Sequence, residues 1–151
     1  VKALVQRVCR ARVTVGGATV GEIGQGLLVL AGFRGEDTGA DLAWMASRVA
    51  NLRVFPDGSG NMNLSLLETG GSALVVSQFT LHADCTKGRR PSFARAADPS
   101  TARRLYESFV ETLRGTGVAA ATGEFGAMMQ VDLVNDGPVT LMLDSPSERL
   151  P

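Results

Sequence analysis

Ala73-Leu74-Val75-Val76-Ser77-Gln78-Phe79-Thr80-Leu81 is the strongest candidate for a buried strand in this 151-residue chain. Ser77, Gln78 and Thr80 interrupt a run that otherwise reads as fully buried. A buried polar group costs free energy unless it finds a partner. Two readings stay open: a sheet edge whose hydroxyls bond neighbouring backbone, or a pocket lined with polar groups. A serine-hydrolase triad built from Ser77 and His82 is discounted. Five residues along a strand place the two side chains on opposite faces, and no orienting carboxylate is identifiable. His82 is therefore expected as a surface loop residue.

Upstream, residues 1–15 alternate, with Val1, Ala3, Val5, Cys9, Ala11, Val13 and Val15 in the apolar phase. That period of two predicts a half-buried strand. Arg7 falls in the same apolar phase. Either a bulge or edge position accounts for it, or its guanidinium is held near a buried carbonyl cluster or ligand. Gly16-Gly17 turns the chain into a hairpin partner over Ala18–Ile23, and Leu27–Phe33 reads as a buried strand. Leu42, Met45, Val49 and Leu52 recur at helical spacing behind Thr38, which predicts a helix over 39–50. A short strand over Leu52–Phe55 leads into the Pro56–Gly60 turn.

Downstream, residues 82–97 are polar and irregular. Lys87, Arg89, Arg90 and Arg95 face the single acid Asp84, a local excess of three positive charges. Such a loop is either an ordinary solvated one or a contact for a phosphate backbone. Asp98-Pro99 starts a second helix, striped by Leu105, Phe109 and Leu113 and ended near Gly115 or Gly117. Strands are expected over Val118–Thr122, Met128–Asn135 and Val139–Asp144, the last two joined by Asp136-Gly137-Pro138. Residues 145–151 are expected to fray. The order predicts one α/β domain of mixed β-sheets with two packed helices.

Composition narrows the chemistry. Fifteen Lys+Arg balance fifteen Asp+Glu, so no generally basic coat is present. Glycine is 18 of 151, about 12% against a typical ~7%, but without collagen period or proline load. One His and two isolated Cys make a zinc site unusual. No Walker loop, dinucleotide fingerprint or nucleophile elbow occurs. No apolar stretch reaches membrane-spanning length and no signal peptide is evident, so a cytoplasmic protein without metal or cofactor is expected.

Val5-Gln6-Arg7-Val8, Ser77-Gln78-Phe79-Thr80-Leu81, Lys87-Gly88-Arg89-Arg90-Pro91-Ser92-Phe93, Met129-Gln130-Val131 and Asn135-Asp136-Gly137-Pro138-Val139-Thr140 together resemble the D-aminoacyl-tRNA deacylases. The likeness runs in order over residues 2–144. It implies a layered β/β/α fold and a homodimer with an active site at each end of the interface. It implies hydrolysis of the ester joining a D-amino acid, or glycine mischarged on tRNA(Ala), to the terminal adenosine of tRNA. By the same likeness Ser77, Gln78, Phe79 and Thr80 line the catalytic wall, with backbone N–H groups near Gln78 and Phe79 facing the oxyanion. Gly137 and Pro138, joined by a cis bond, enter the partner's pocket and exclude L-amino acids. Phe125, Met129 and Ala102 resemble positions around the terminal adenosine or the pocket. Arg7 steadies the Gly-Pro element, and Lys87, Arg89 and Arg90 are candidate tRNA-backbone contacts. The expected nucleophile is water assisted by the substrate's 2′-hydroxyl, with Thr80 as the competing proposal. Neither DNA nor a membrane is an expected partner. Departures from the family pattern are peripheral: Cys85, Thr86, the variable His82, and Met128 where an acid is common.

Two alternatives stay open, one near and one of a different class. A relative with a trans Gly-Pro bond would remove mischarged L-amino acids. A nucleic-acid-binding homodimer without catalysis would keep the basic loop but have no need of Ser77–Thr80 or Gly137-Pro138.

Overall fold

In the computed structural model, which describes residues 1–146, the 14-residue strand β1 (Lys2–Val15) organises the molecule. One of its edges pairs along its length with β8 (Gln130–Asp144). The other edge is shared by β3 (Gly26–Gly32), opposite Lys2–Val8, and β2 (Ala18–Ile23), opposite Ala11–Val15. Parallel pairing then adds β6 (Ser72–Ser77) to β3 and β7 (Ala119–Thr122) to β6. The result is a mixed six-stranded sheet in the order β2-β1-β3-β6-β7, with β8 on the far side of β1. A short hairpin, β4 (Phe55–Pro56) and β5 (Met62–Leu64), stands apart.

β3 and β6 are apolar on both faces because each face meets a different core. One set of alternating residues, including Ala3, Val5, Val29 and Val75, packs under the helices α1 (Gly39–Asn51) and α3 (Pro99–Gly115). The opposite set, including Val8, Leu28, Leu74 and Val76, builds a smaller second cluster. The sheet curls around that cluster until Gly21 of β2 meets β7. A Cβ at Gly21 would lie 2.1 Å from the Thr122 carbonyl oxygen, so only glycine permits the approach. On the helix side, the Tyr106 hydroxyl donates to the Val75 carbonyl at 2.8 Å and ties α3 to β6. Burial pushes that phenol's pKa up to about 12.

The fold is the expected mixed α/β arrangement, and both long helices occupy their predicted spans. Several local expectations are corrected. The strand predicted through Leu81 stops at Ser77, because its partner β3 ends at Gly32, and the chain enters a 3-10 turn over Phe79–His82. The single alternation of residues 1–15 is broken by a bulge between Val8 and Arg10. Val1, Ala3 and Val5 therefore face the helices, whereas Ala11 and Val13 face the second cluster. The two strands expected at the C-terminal end are one strand, β8, interrupted opposite Arg7: Gln6 pairs Thr140 while Val8 pairs Asn135, so residues 136–139 bulge outward.

A third helix, α2 (Leu66–Thr69), lies where no helical periodicity predicts one, and the capping box of Ser65 and Glu68 is its sequence mark. The expected fraying does not begin at Ser145. Its amide donates to the Val1 carbonyl at 2.9 Å, and its hydroxyl accepts from the Val1 amino group at 2.7 Å. The rest of that prediction, over 147–151, lies outside the described residues. No helix among the described residues is long and apolar enough to cross a membrane.

Candidate active site

The end of β6 opens into a cavity of about 730 Å³. Ser77, Gln78 and Phe79 form one wall as the strand gives way to the 3-10 turn. Ala102, near the start of α3, lies with Phe125 and Met129 along the remainder. Six of the residues singled out from the sequence thus share one cavity. Thr80 is not in its lining, but its hydroxyl accepts a short hydrogen bond from the Gln78 side-chain amide.

Local physics fixes the donors of this wall. The Gln78 amide donates to the Ala31 carbonyl at 2.8 Å and so continues the β3 ladder. It is therefore unavailable to a ligand. The amides of Phe79 and Thr80, at the head of the turn, have no hydrogen-bond partner among the described residues. Unpartnered N–H groups at the head of a helical turn are ready donors for a developing negative charge. Of the amides of Gln78 and Phe79, only that of Phe79 is free, and the adjacent Thr80 amide is free as well.

Phe125 is held between two side chains. The Arg103 guanidinium lies 4.8 Å from its ring centroid, and the Tyr106 ring 5.8 Å away. Asp98 is the one carboxylate in the lining, and its side chain caps α3 by accepting from the Thr101 amide at 3.1 Å. The Thr101 hydrogen bonds, side chain first, hold its pKa below the ordinary carboxylate value. Asp98 is thus a poor proton acceptor near neutrality. Phe93, Ala96, Ala97, Pro99 and Met128 also line the cavity, though the sequence reading gives none of them a site role. Loop residues of this kind converge only through tertiary contacts, so no local periodicity marks them.

His82 does not lie on the surface. It is 3% exposed, and its Nε2 has no hydrogen-bond partner among the described residues. It packs against the backbone of Gly32, where a Cβ would come within 3.1 Å of the imidazole. It is absent from the cavity lining. Desolvation holds its pKa below the ordinary 6.5, with repulsion from the N-terminal amino group, Arg34 and Lys2 adding to the effect and a backbone hydrogen bond at Gly32 opposing it. The unfolded chain therefore takes up a proton at this site before the folded one. This contribution to stability is complete above the unfolded pKa of 6.5 and is lost as pH falls towards the folded value. His82→Gln is expected to flatten that part of the curve, read as urea midpoints at pH 7.5 and 5.5. An equal loss in both proteins would contradict the assignment.

Arg7, Gly137 and Pro138 lie outside this cavity. Arg7 is turned inward, with its side chain 11% exposed. It donates to the Val54 carbonyl at 2.6 Å and to the Asp136 carbonyl at 3.1 Å, and pairs with the Asp136 carboxylate at 3.3 Å. Both readings of its odd phase are partly met: the register shifts at Arg7, and the guanidinium turns inward onto part-buried carbonyls. Asn135 closes the other side of the bulge, donating to the Arg7 and Val139 carbonyls at 2.9 and 3.0 Å. The Gly137-Pro138 peptide bond is cis, and Gly137 has a φ of +133°. Lys87, Arg89 and Arg90 are exposed on the loop beyond the cavity.

Comparison with known proteins follows the same lines. A family model described as D-Tyr-tRNA(Tyr) deacylase matches residues 4–144. A D-aminoacyl-tRNA deacylase of Thermomicrobium roseum is 59% identical over 148 residues, covering 98% of this chain and 96% of its own length. Its counterpart in Geobacter sulfurreducens is 57% identical over 146 residues, covering 97% and 96%. A solved structure named c-Myc DNA Unwinding Element Binding Protein superposes with a TM-score of 0.92 at 46% identity, over 97% of this chain and all of that one. A probable eukaryotic D-amino acid tRNA deacylase superposes with a TM-score of 0.81 over 94% and 97%; at 19% identity it shows the shared fold alone.

Proposed function

Since the chain belongs to the D-Tyr-tRNA(Tyr) deacylase family, we propose that it hydrolyses the ester between a D-amino acid and the 3′-terminal adenosine of tRNA. The observation that carries this reading is the cavity wall itself: the unpartnered Phe79 amide, with that of Thr80 next to it on the same turn, beside an apolar space with no available side-chain base. An aminoacyl ester is already activated, so stabilising its tetrahedral oxyanion supplies much of what hydrolysis needs. Such donors are often worth several kcal/mol.

In the proposed reaction water attacks the carbonyl carbon. The neighbouring ribose 2′-hydroxyl assists its deprotonation, the carbonyl oxygen develops charge towards the Phe79 and Thr80 amides, and the bond to the ribose oxygen breaks. That oxygen takes the proton, releasing free D-amino acid and tRNA. Phe125, Met129 and Ala102 form the apolar side that receives the terminal adenosine. Ser77 and Gln78 complete the polar side.

Chirality is assigned to a second copy of the chain. Gly137 and Pro138 are absent from the lining of their own cavity, and they sit on β8, an edge strand with Val134, Leu141 and Met142 exposed. An apolar edge of this kind suits an interface between copies. In the homodimer the Gly137 and Pro138 carbonyls of one subunit enter the other's cavity and crowd the side-chain direction of an L-amino acid. A main-chain wall reads no side chain, so many D-amino acids pass, as does glycine on tRNA(Ala). Arg7 holds the wall from behind. Lys87, Arg89 and Arg90 meet the tRNA backbone. The substrate places the enzyme in the cytoplasm.

The test is release of D-tyrosine from D-Tyr-tRNA by the purified chain. A nucleic-acid-binding dimer without catalysis would leave the ester intact. Thr80→Ala separates the two nucleophiles. The Thr80 hydroxyl accepts from an amide, which is no base, so the variant is expected to stay within about tenfold of wild type. Complete loss with the fold intact would make Thr80 the nucleophile.

A further inference from the structure

Phe79 and Phe93 are the two exposed phenylalanines among the described residues, and both line the mouth of the cavity. Their rings meet edge to face with centroids 5.1 Å apart. Scattered exposed apolar side chains need no explanation. Two aromatic rings in contact beside a cationic loop do.

The loop fixes Phe93 in place. The Asp84 amide donates to the Ser92 carbonyl at 2.8 Å, and the Ser92 amide returns to the Asp84 carbonyl at 2.9 Å. Phe93 directly follows this clasp, so its backbone is anchored while the tip projects beyond. The tip carries Lys87, Arg89 and Arg90, all exposed. The loop's one acid, Asp84, is already engaged by Thr86 at 2.7 Å and by Arg95 at 3.8 Å. Positive charge along a path beside an exposed aromatic face is the physical signature of a surface for single-stranded nucleic acid. The charge draws in the phosphates, and the ring stacks a base without reading its sequence.

The 3′ end of tRNA is single-stranded, and the apolar side of the cavity is already assigned to its last nucleoside. We propose that Phe93 is the stacking platform for the base of the preceding nucleotide, with that nucleotide's phosphates passing over the Lys87–Arg90 tip. This subsite rests on the deacylase reading and extends it by one nucleotide. Phe79, on the 3-10 turn, meets the platform ring edge to face.

The experiment compares two substrates, D-Tyr-tRNA and D-tyrosyl-adenosine, the second lacking the preceding nucleotide. Phe93→Ala is expected to raise KM for D-Tyr-tRNA about tenfold with kcat little changed, as loss of one stacked base implies. KM for D-tyrosyl-adenosine should rise far less than KM for D-Tyr-tRNA, and an unchanged urea midpoint reports that the variant is folded. Phe93→Trp should restore the KM for D-Tyr-tRNA. Equal losses on both substrates would overturn the proposal by making Phe93 part of the terminal pocket, and so would an unchanged KM for D-Tyr-tRNA. A wild-type chain inert towards both esters would overturn the deacylase reading and this subsite with it.

Discussion

Gly137→Ala is expected to lower the rate of D-Tyr-tRNA deacylation about a hundredfold while leaving the subunit folded. The backbone at Gly137 has a φ of +133°, which residues with a Cβ rarely adopt. A Cβ there would also lie 2.9 Å from the Val139 amide nitrogen and 3.3 Å from the Arg7 guanidinium. The bulge must therefore shift, and displacements of about 1 Å in a positioning element cost on the order of a hundredfold in rate. The bulge is exposed at the sheet edge, so the core should survive, as far-UV circular dichroism and the urea midpoint will report. Mixing this variant with one whose cavity is blocked, such as Ala102→Phe, should return activity. One of the two sites in each mixed dimer then pairs an intact wall with an intact cavity. Failure to restore any activity would contradict the wall acting across the interface.

Arg7→Ala carries the second large effect, and it reaches both stability and selectivity. The guanidinium satisfies the Val54 and Asp136 carbonyls from a half-enclosed position between the helix layer and the bulge. Removing it leaves both acceptors without their donor and the Asp136 carboxylate without its partner. We expect a loss of about 3 kcal/mol, since hydrogen bonds involving a charged group contribute ~1.5–3 kcal/mol each. Arg7→Lys keeps the charge but not the fork that spans two carbonyls, so it should recover only part of that loss. Urea denaturation measures the stability change. The same two variants should lose preference for D- over L-Tyr-tRNA in the same order, and unchanged preference in a folded Arg7→Ala protein would detach Arg7 from the wall.

Much of this architecture is legible in local sequence. The heptad-like spacing of Leu42, Met45 and Val49 and the Asp98-Pro99 start give both long helices, and the apolar runs at Leu27 and Ala73 give the doubly buried strands. What local pattern does not carry is where pairing partners end. Nothing within Ala73–Leu81 announces that β3 stops at Gly32, yet that is what converts the predicted strand end into the turn bearing Phe79 and Thr80. The bulge in β1 is similarly hidden. One extra residue near Cys9 swaps the faces of all that follows, and alternation of small apolar residues reads the same on either face.

His82 shows the converse. A lone histidine at the start of a polar loop reads as a surface residue, but Gly32 leaves the space into which it folds. The composition of the cavity was half legible. Ser77, Gln78, Phe79, Ala102, Phe125 and Met129 line one cavity, which Phe93, the last residue of the basic-loop motif, and Asp98, a helix cap, join through tertiary contacts.

The central claim is that a main-chain wall supplied by the partner sorts esters by handedness. It is tested most directly by initial deacylation rates of D-Tyr-tRNA and L-Tyr-tRNA with the same wild-type preparation. A main-chain wall that positions the D form and clashes with the L form predicts a D preference of about a hundredfold or more. Equal rates on the two esters, or no hydrolysis of either, would contradict the account.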